Sequence, residues 1–148
     1  MTEFKDFSAR FAQSVCLMTL QASDGEKTCT ISSYNSISSS LEADLFSFSL
    51  ASSSYMAGIV QISSRVRVSL LSSNQSSAAN HFVKNRISND EYDLHEIVSA
   101  SIGFAEGEVT SSIPVGASIL YIVTVRKIEI LNSDFKPLVY RLGQYEMS

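Results

Sequence analysis

Phe4, Phe7 and Phe11 recur at intervals of three and four residues, with Lys5, Asp6 and Arg10 between them. That spacing predicts a short amphipathic helix over residues 4–13, its aromatic face packed over one end of a barrel. The pattern then changes period. Residues 15–21 are rich in apolar side chains and stop at Ser23-Asp24-Gly25, a turn signal, so residues 27–33 read as the return strand of a hairpin. Residues 45–50 alternate with period two, placing Leu45, Ser47 and Ser49 on one face and Phe46, Phe48 and Leu50 on the other. Ser52-Ser53-Ser54 then opens a short helix through Tyr55, Met56, Ile59 and Val60, since a serine hydroxyl can accept an orphan N–H at a helix start.

A further strand is expected over 65–71, with Val66, Val68 and Leu70 on its buried face, followed by a helix from Ser72 to about Lys84. Residues 85–97 are polar and aperiodic, which reads as a surface loop or lid. Two longer strands, 98–109 and 117–131, are separated by 110–116, and a last short strand covers 137–141. The chain is rich in serine, but its serines sit between apolar residues at strand spacing, unlike a disordered tract. No repeat and no Pro/Gly linker interrupts it, so one domain over residues 1–148 is expected. The element order lacks βαβ alternation and favours an antiparallel barrel with a few covering helices.

Composition narrows the function. The chain has 148 residues, 45% apolar and 18% charged, with net charge −4 and only 11 basic residues scattered along it. A nucleic-acid surface needs clustered Lys and Arg, so nucleic acid is not an expected partner. The apolar stretch 119–125 is far shorter than the ~20 residues of a spanning helix. No apolar segment follows the charged N-terminus, so neither membrane nor export is expected and the protein should be cytoplasmic. If Asp24-Gly25 closes the hairpin, Cys16 lies opposite Ser33 and Cys29 opposite Leu20. The sulfurs are then about 13 Å apart along the strand, beyond the ~7 Å reach of a disulfide. Free, buried thiols are expected.

Several chemistries find no support. The six glycines form neither a dinucleotide fingerprint nor a P-loop, and no Gly-x-Ser-x-Gly elbow is present. Two His and two Cys at no ligand spacing do not make a zinc site. His95, beside Asp93 and Glu96, reads as a solvated loop histidine, and Glu106 and Glu108 as a solvent-facing pair on one strand. What remains is a surplus of small hydroxyl side chains between residues 30 and 54. Hydroxyls and exposed amides suit a ligand with many acceptors, such as a phosphate tail or the carbonyl edge of a flavin.

Four segments, in order, carry a resemblance. Thr30-Ile31-Ser32-Ser33-Tyr34-Asn35-Ser36-Ile37-Ser38 resembles the Thr-Val-Asn-Ser-Phe-Thr-Ser-Val-Ser signature of the flavin reductase-like family. Phe7-Ser8-Ala9-Arg10-Phe11-Ala12-Gln13-Ser14-Val15 resembles its opening helix and first strand. Val68-Ser69-Leu70-Leu71-Ser72-Ser73-Asn74-Gln75, with Phe82 following, is similar to its strand-to-helix segment. Residues 137–145 are similar to its Pro-Leu-x-Tyr-x-x-Gly-x-Tyr ending.

The resemblance implies a mainly β fold, a six-stranded antiparallel Greek-key split barrel with two or three short flanking helices. It implies a homodimer holding FMN, or FAD in its place, near the subunit interface. Thr30, Ser32 and Ser33 would hold the flavin ring edge, with Phe48 and Ser49 on the strand beside it. Ser53 and Ser54 would meet the phosphate at a helix start, and Asn80, His81 and Phe82 would contact flavin from a helix end. The activity implied is flavin reduction by NADH or NADPH, with reduced flavin passed to a monooxygenase component. A flavin-binding electron-transfer or carrier protein, and an empty barrel used for protein interaction, are the competing readings.

Three departures bear on this. Many relatives carry Arg or Lys where this chain has Tyr55, a Pro-Pro pair where it has Ala43-Asp44, and Gly-Asp-His where it has Gly116-Ala117-Ser118. A lost phosphate cation costs about 1.5–3 kcal/mol of charge-assisted hydrogen bonding. The absent histidine bears on nicotinamide use.

Overall fold

The computed structural model describes residues 3–146. Along the chain run α1 (Glu3–Ser8), β1 (Gln13–Ser14), β2 (Cys16–Ala22), β3 (Gly25–Ile31), β4 (Asn35–Ser39) and β5 (Asp44–Ala51). A single 3-10 turn (Met56–Gly58) precedes β6 (Arg65–Leu70), α2 (Ser76–Lys84) and α3 (Leu94–Ser99). Two 13-residue strands, β7 (Gly103–Val115) and β8 (Ser118–Ile130), lead to β9 (Val139–Arg141) and β10 (Gln144–Glu146).

The main sheet has the order β3-β2-β6-β7-β8-β5-β4, and a small one has the order β1-β9-β10. All pairings are antiparallel. Strands β6, β7 and β8 follow one another and β5 lies beside β8, a Greek-key arrangement. The fold is the mainly β barrel expected from the sequence. Strands β2, β3 and β5–β8 are its six long members, and β4 adds a seventh at the edge.

Alternation puts one side of each strand inside the barrel. Cys16, Met18 and Leu20 of β2 meet Phe46, Phe48 and Leu50 of β5, Val66 and Val68 of β6, and Tyr121 and Val123 of β8. Phe48 and Tyr121 are cross-strand partners with stacked rings, centroids 5.0 Å apart. A second cluster lies outside the barrel wall, where Val15 and Leu17 pack against Leu71, Ala79, Phe82, Leu94, Val98 and Leu138. Strand β2 is thus buried on both faces, which is why residues 15–21 form a continuous apolar run rather than an alternating one. The long hairpin of β7 and β8 bends around the barrel through irregular pairing at Glu106/Gly107 and Val109/Ser111. A side chain at Gly107 would collide with the Thr124 carbonyl oxygen.

The structure corrects several expected elements. The helix expected over 4–13 ends at Ser8 and buries no residue, leaving Phe4, Phe7 and Phe11 exposed at 78%, 61% and 56%. It does not pack over the barrel end because the chain turns at once into β1, and the Ala9 carbonyl accepts the Leu142 N–H. The helix expected after Ser52 is only the 3-10 turn, which ends on Gly58 and is followed by the β-branched Ile59 and Val60, all poor helix formers. Helix α2 starts at Ser76, because Ser72 to Gln75 form their own turn in which Gln75 Oε1 accepts the Ser72 N–H. Helix α3 occupies part of the expected loop and start of a strand at 98, burying Leu94 and Val98 four residues apart. The gap expected at 110–116 shrinks to Gly116 and Ala117, with Gly116 at φ 58°.

The hairpin register also differs. Ala22 pairs with Gly25, so Cys16 lies opposite Ile31 and Cys29 opposite Met18. The two-residue turn sits one residue earlier than expected, at Ser23-Asp24, and the cysteines are offset by two residues rather than four. They remain free. Burial pushes both thiols up to about 12, because a thiolate in the apolar barrel would lose its hydration. In the unfolded chain they ionise near pH 8.5. Their contribution to stability is therefore complete below about pH 8.5 and is lost as pH rises toward 12. The native protein is expected to leave Cys16, which is buried while Cys29 is only partly so, unlabelled by an aromatic disulfide reagent at about pH 8. Its denaturation midpoint should fall progressively at higher pH. Rapid labelling of Cys16 without unfolding would contradict this burial.

Candidate functional site

The site begins with a strand that has lost a neighbour. β3 lies at one end of the main sheet and β5 near the other, yet the barrel brings them to face each other. The Thr28 N–H donates to the Arg86 carbonyl at 2.8 Å, on the side of β3 away from β2. Opposed residues of an antiparallel pair alternate in this respect, so Thr30, opposite Leu17 as Thr28 is opposite Thr19, also turns its N–H and C=O outward. Across the gap, β5 pairs with β4 only as far as Ser47. Beyond Ser47 its edge is open on this side.

One side chain spans the gap. The Ser33 hydroxyl donates to the Ser49 carbonyl and accepts from the Ser49 N–H, both at 3.0 Å. A hydroxyl thereby takes the place of a strand partner at a single point. Between this stitch and the Arg86 contact lies a cavity of about 320 Å³, lined by Cys29, Thr30, Ile31, Ser32 and Ser33 on one side. Ser49, Leu50, Ala51, Ser54 and Met56 line the other. Ser54 faces it from the start of the 3-10 turn, where its hydroxyl accepts the Ala57 N–H at 3.2 Å.

Five of the ten residues expected from the sequence therefore meet in one cavity: Thr30, Ser32, Ser33, Ser49 and Ser54. Their chemistry differs. Thr30 donates its hydroxyl to the Ala79 carbonyl at 2.6 Å, tying α2 to β3, so what it offers the cavity is main chain. The Ser32 hydroxyl makes no hydrogen bond among the described residues. Ser53 is exposed on the turn and does not line the cavity. Phe48 is 0% exposed inside the barrel, beneath Ser49, and Phe82 is 1% exposed beneath α2. Both are core residues that back the site without reaching it.

Asn80 and His81 stand at two flanking cavities. Asn80 lines one of about 360 Å³ that shares Thr30, Ile31 and Ser32 with the first and adds Tyr140 and Tyr145. Those rings meet edge to face, centroids 5.3 Å apart. His81 lines the other, about 420 Å³, with Lys27, Tyr55, Lys84 and Arg86. Its ring stacks on Tyr92 at 4.6 Å, its Nε2 lies 3.2 Å from the Ile87 carbonyl, and the Asn85 side-chain amide lies 3.3 Å from Nδ1. Sequence reasoning missed Arg86, Tyr140 and Tyr145 as site residues. The basic pair Lys84 and Arg86 in an otherwise acidic chain was a usable signal.

No group of His, Cys, Asp and Glu among the described residues could hold a metal ion. No helix among them is long and apolar enough to cross a membrane.

Residues 8–147 match the family described as flavin reductase like domain. No curated protein sequence matches the chain. The fold is shared with the flavin reductase of styrene monooxygenase (SMOB) from Pseudomonas putida S12, at TM-score 0.84 and 24% identity, covering 99% of this chain and 97% of that one. BorF, the flavin reductase component of a bacterial two-component tryptophan halogenase, aligns at TM-score 0.78 and 17% identity, covering 97% and 94%. Flavin reductase HpaC, solved in complex with NADP+, aligns at TM-score 0.78 and 18% identity, covering 98% and 96%.

Replacing Ser33 by Ala should strand the Ser49 main-chain groups and lower stability by about 1–3 kcal/mol. Ser33→Thr, which keeps the hydroxyl, should recover most of that. Thermal melts of the three proteins decide the matter, and an unchanged midpoint in Ser33→Ala would show that the stitch carries no weight.

Proposed function

Because the chain belongs to the flavin reductase-like family, we propose that it binds FMN in the gap between β3 and β5 and reduces it with NADH or NADPH. The single observation that carries this reading is the cavity itself, an elongated gap edged by strand amides and serine hydroxyls and floored by Ile31, Leu50 and Met56. An apolar floor with a few fixed donors suits a flat ring with a carbonyl edge. When bound, the flavin supplies the hydride chemistry. The chain's own residues hold and orient it. The Thr30 N–H and the Ser32 hydroxyl donate to its acceptors, Ser33 keeps the two strands at fixed separation, and Met56 and Leu50 keep water from the apolar side.

Two further features fit this role. Ile37, Ile113 and Val115 are exposed on the β4 and β7 edges, as are Phe4 and Phe7 of α1. Faces of this kind suit a second copy, and we take the protein to act as a homodimer. The free thiols suit a reducing, cytoplasmic setting. Reduced flavin would then pass to a separate monooxygenase component. FAD is the alternative ligand.

One observation favours a second reading, flavin binding without nicotinamide turnover. The β7–β8 turn carries Gly116 and Ala117 and no imidazole, and the Ala117 carbonyl accepts both the N–H and the hydroxyl of Ser52. The purified protein with FMN should retain an absorbance band near 450 nm through desalting and should oxidise NADH faster than free FMN does. Binding without turnover would establish the second reading, and no binding at micromolar flavin would reject both. Ser32→Leu, which fills the cavity at a hydroxyl with no protein partner, should weaken FMN binding more than tenfold while the melting midpoint shifts little.

A further inference from the structure

Beside the gap, the chain gathers positive charge. Lys27, Lys84 and Arg86 line the 420 Å³ cavity together with Tyr55 and His81, and no carboxylate lines it. In a chain of net charge −4 this is a local reversal of sign. Arg10, Arg67, Arg126 and Arg141 each pair with a carboxylate. Arg86, like the exposed Arg65, pairs with none among the described residues. Its guanidinium instead lies 3.9 Å from the centroid of the Tyr55 ring. Stacking of this kind fixes the guanidinium plane and leaves its N–H groups free for a planar or tetrahedral anion.

The position is also fixed. The Arg86 carbonyl takes the Thr28 N–H at 2.8 Å, one step along the same strand edge from the gap cavity. Tyr55 adjoins Ser54, which lines that cavity. The two cavities share no lining residue, but their walls are neighbours at Ser54 and Tyr55 and along the edge of β3, where Arg86 is anchored through Thr28. The loop that carries it is laced down by His81, through Asn85, Ile87 and Tyr92. Lys27 sits 3.2 Å from Asp24, so part of its charge is already answered. Arg86 and Lys84 carry the remainder.

We propose that this basic cavity is the anion subsite of the bound flavin, with Arg86, held on Tyr55, as the fixed donor to the flavin's phosphate and Lys84 as supporting charge. The assignment rests on the flavin reading given above and adds to it which residues read the phosphate.

The test compares FMN with riboflavin, which has the same ring and no phosphate, by fluorescence titration of the wild-type protein, Arg86→Ala, Arg86→Lys and Tyr55→Ala. The wild type should bind FMN well over tenfold more tightly than riboflavin. Arg86→Ala should weaken FMN about 10- to 100-fold while riboflavin stays within twofold. Arg86→Lys, charged but unable to stack and fork, should recover only part, and Tyr55→Ala should fall between. The FMN dissociation constant should rise with salt in the wild type and less so in Arg86→Ala. Equal losses for both flavins, or no loss for FMN in Arg86→Ala, would overturn the assignment while leaving the gap as a flavin site. If the wild-type protein binds neither flavin, the flavin reading fails, and inorganic pyrophosphate decides the subsite alone. Amide shifts at residues 54–55 and 84–87 that vanish in Arg86→Ala would support an anion site, and no such shifts would overturn it.

Discussion

Between β3 and β5 two strand edges face each other with no ladder between them. A buried or half-buried peptide group without a partner costs free energy comparable to a lost hydrogen bond, so an open gap of this kind has to be answered point by point. At one end the Ser33 hydroxyl serves both the N–H and the C=O of Ser49. At the other the Arg86 carbonyl serves the Thr28 N–H. The rest of the molecule holds the gap at its width. α2 is tied to β3 through Thr30 and Ala79, and β2 is clamped between the barrel interior and the outer cluster under α2 and α3. The stacked Phe48 and Tyr121 support β5 from within.

This arrangement explains why the barrel was legible in the sequence and its closure was not. Period-two alternation at 45–50 and the continuous apolar run at 15–21 report burial directly, and the main strands lie close to where those patterns place them. Phe48 and Phe82 were read as ligand neighbours through resemblance, and the strand phase that puts Phe46, Phe48 and Leu50 on one face already marks Phe48 as barrel interior. Short elements were harder. β1, β4, β9 and β10 are two to five residues long and owe their pairing to distant chain, Gln13 to Tyr140 for example, which no local window contains. The aromatic stripe of α1 signalled an apolar face correctly, but not what covers it.

The cysteine register shows how a small local decision propagates. A turn moved one residue earlier, so that Ala22 meets Gly25, shifts the partner of Cys16 from Ser33 to Ile31. That same shift frees Ser33 from β2, beyond the end of β3, where its hydroxyl can reach Ser49. With the turn one residue later, at Asp24-Gly25, Ser33 would have been spent as a ladder residue. The hairpin turn at Asp24 therefore helps set the chemistry some ten residues downstream.

The departures from the family pattern look different once placed in space. Tyr55 stands where a cation is expected, and a cation stands on Tyr55, supplied by a loop that is remote in sequence. A guanidinium on an aromatic face is held in one orientation, whereas a residue at position 55 would project from an exposed turn with many rotamers to choose from. The exchange ties anion binding to the order of the loop from Asn85 to Tyr92, and through His81 to the end of α2. The same helix, through Thr30, holds the strand that edges the gap. Ring and phosphate would thus be read by groups anchored on one helix, so that a change in how α2 seats on β3 would be felt at both ends of the ligand together.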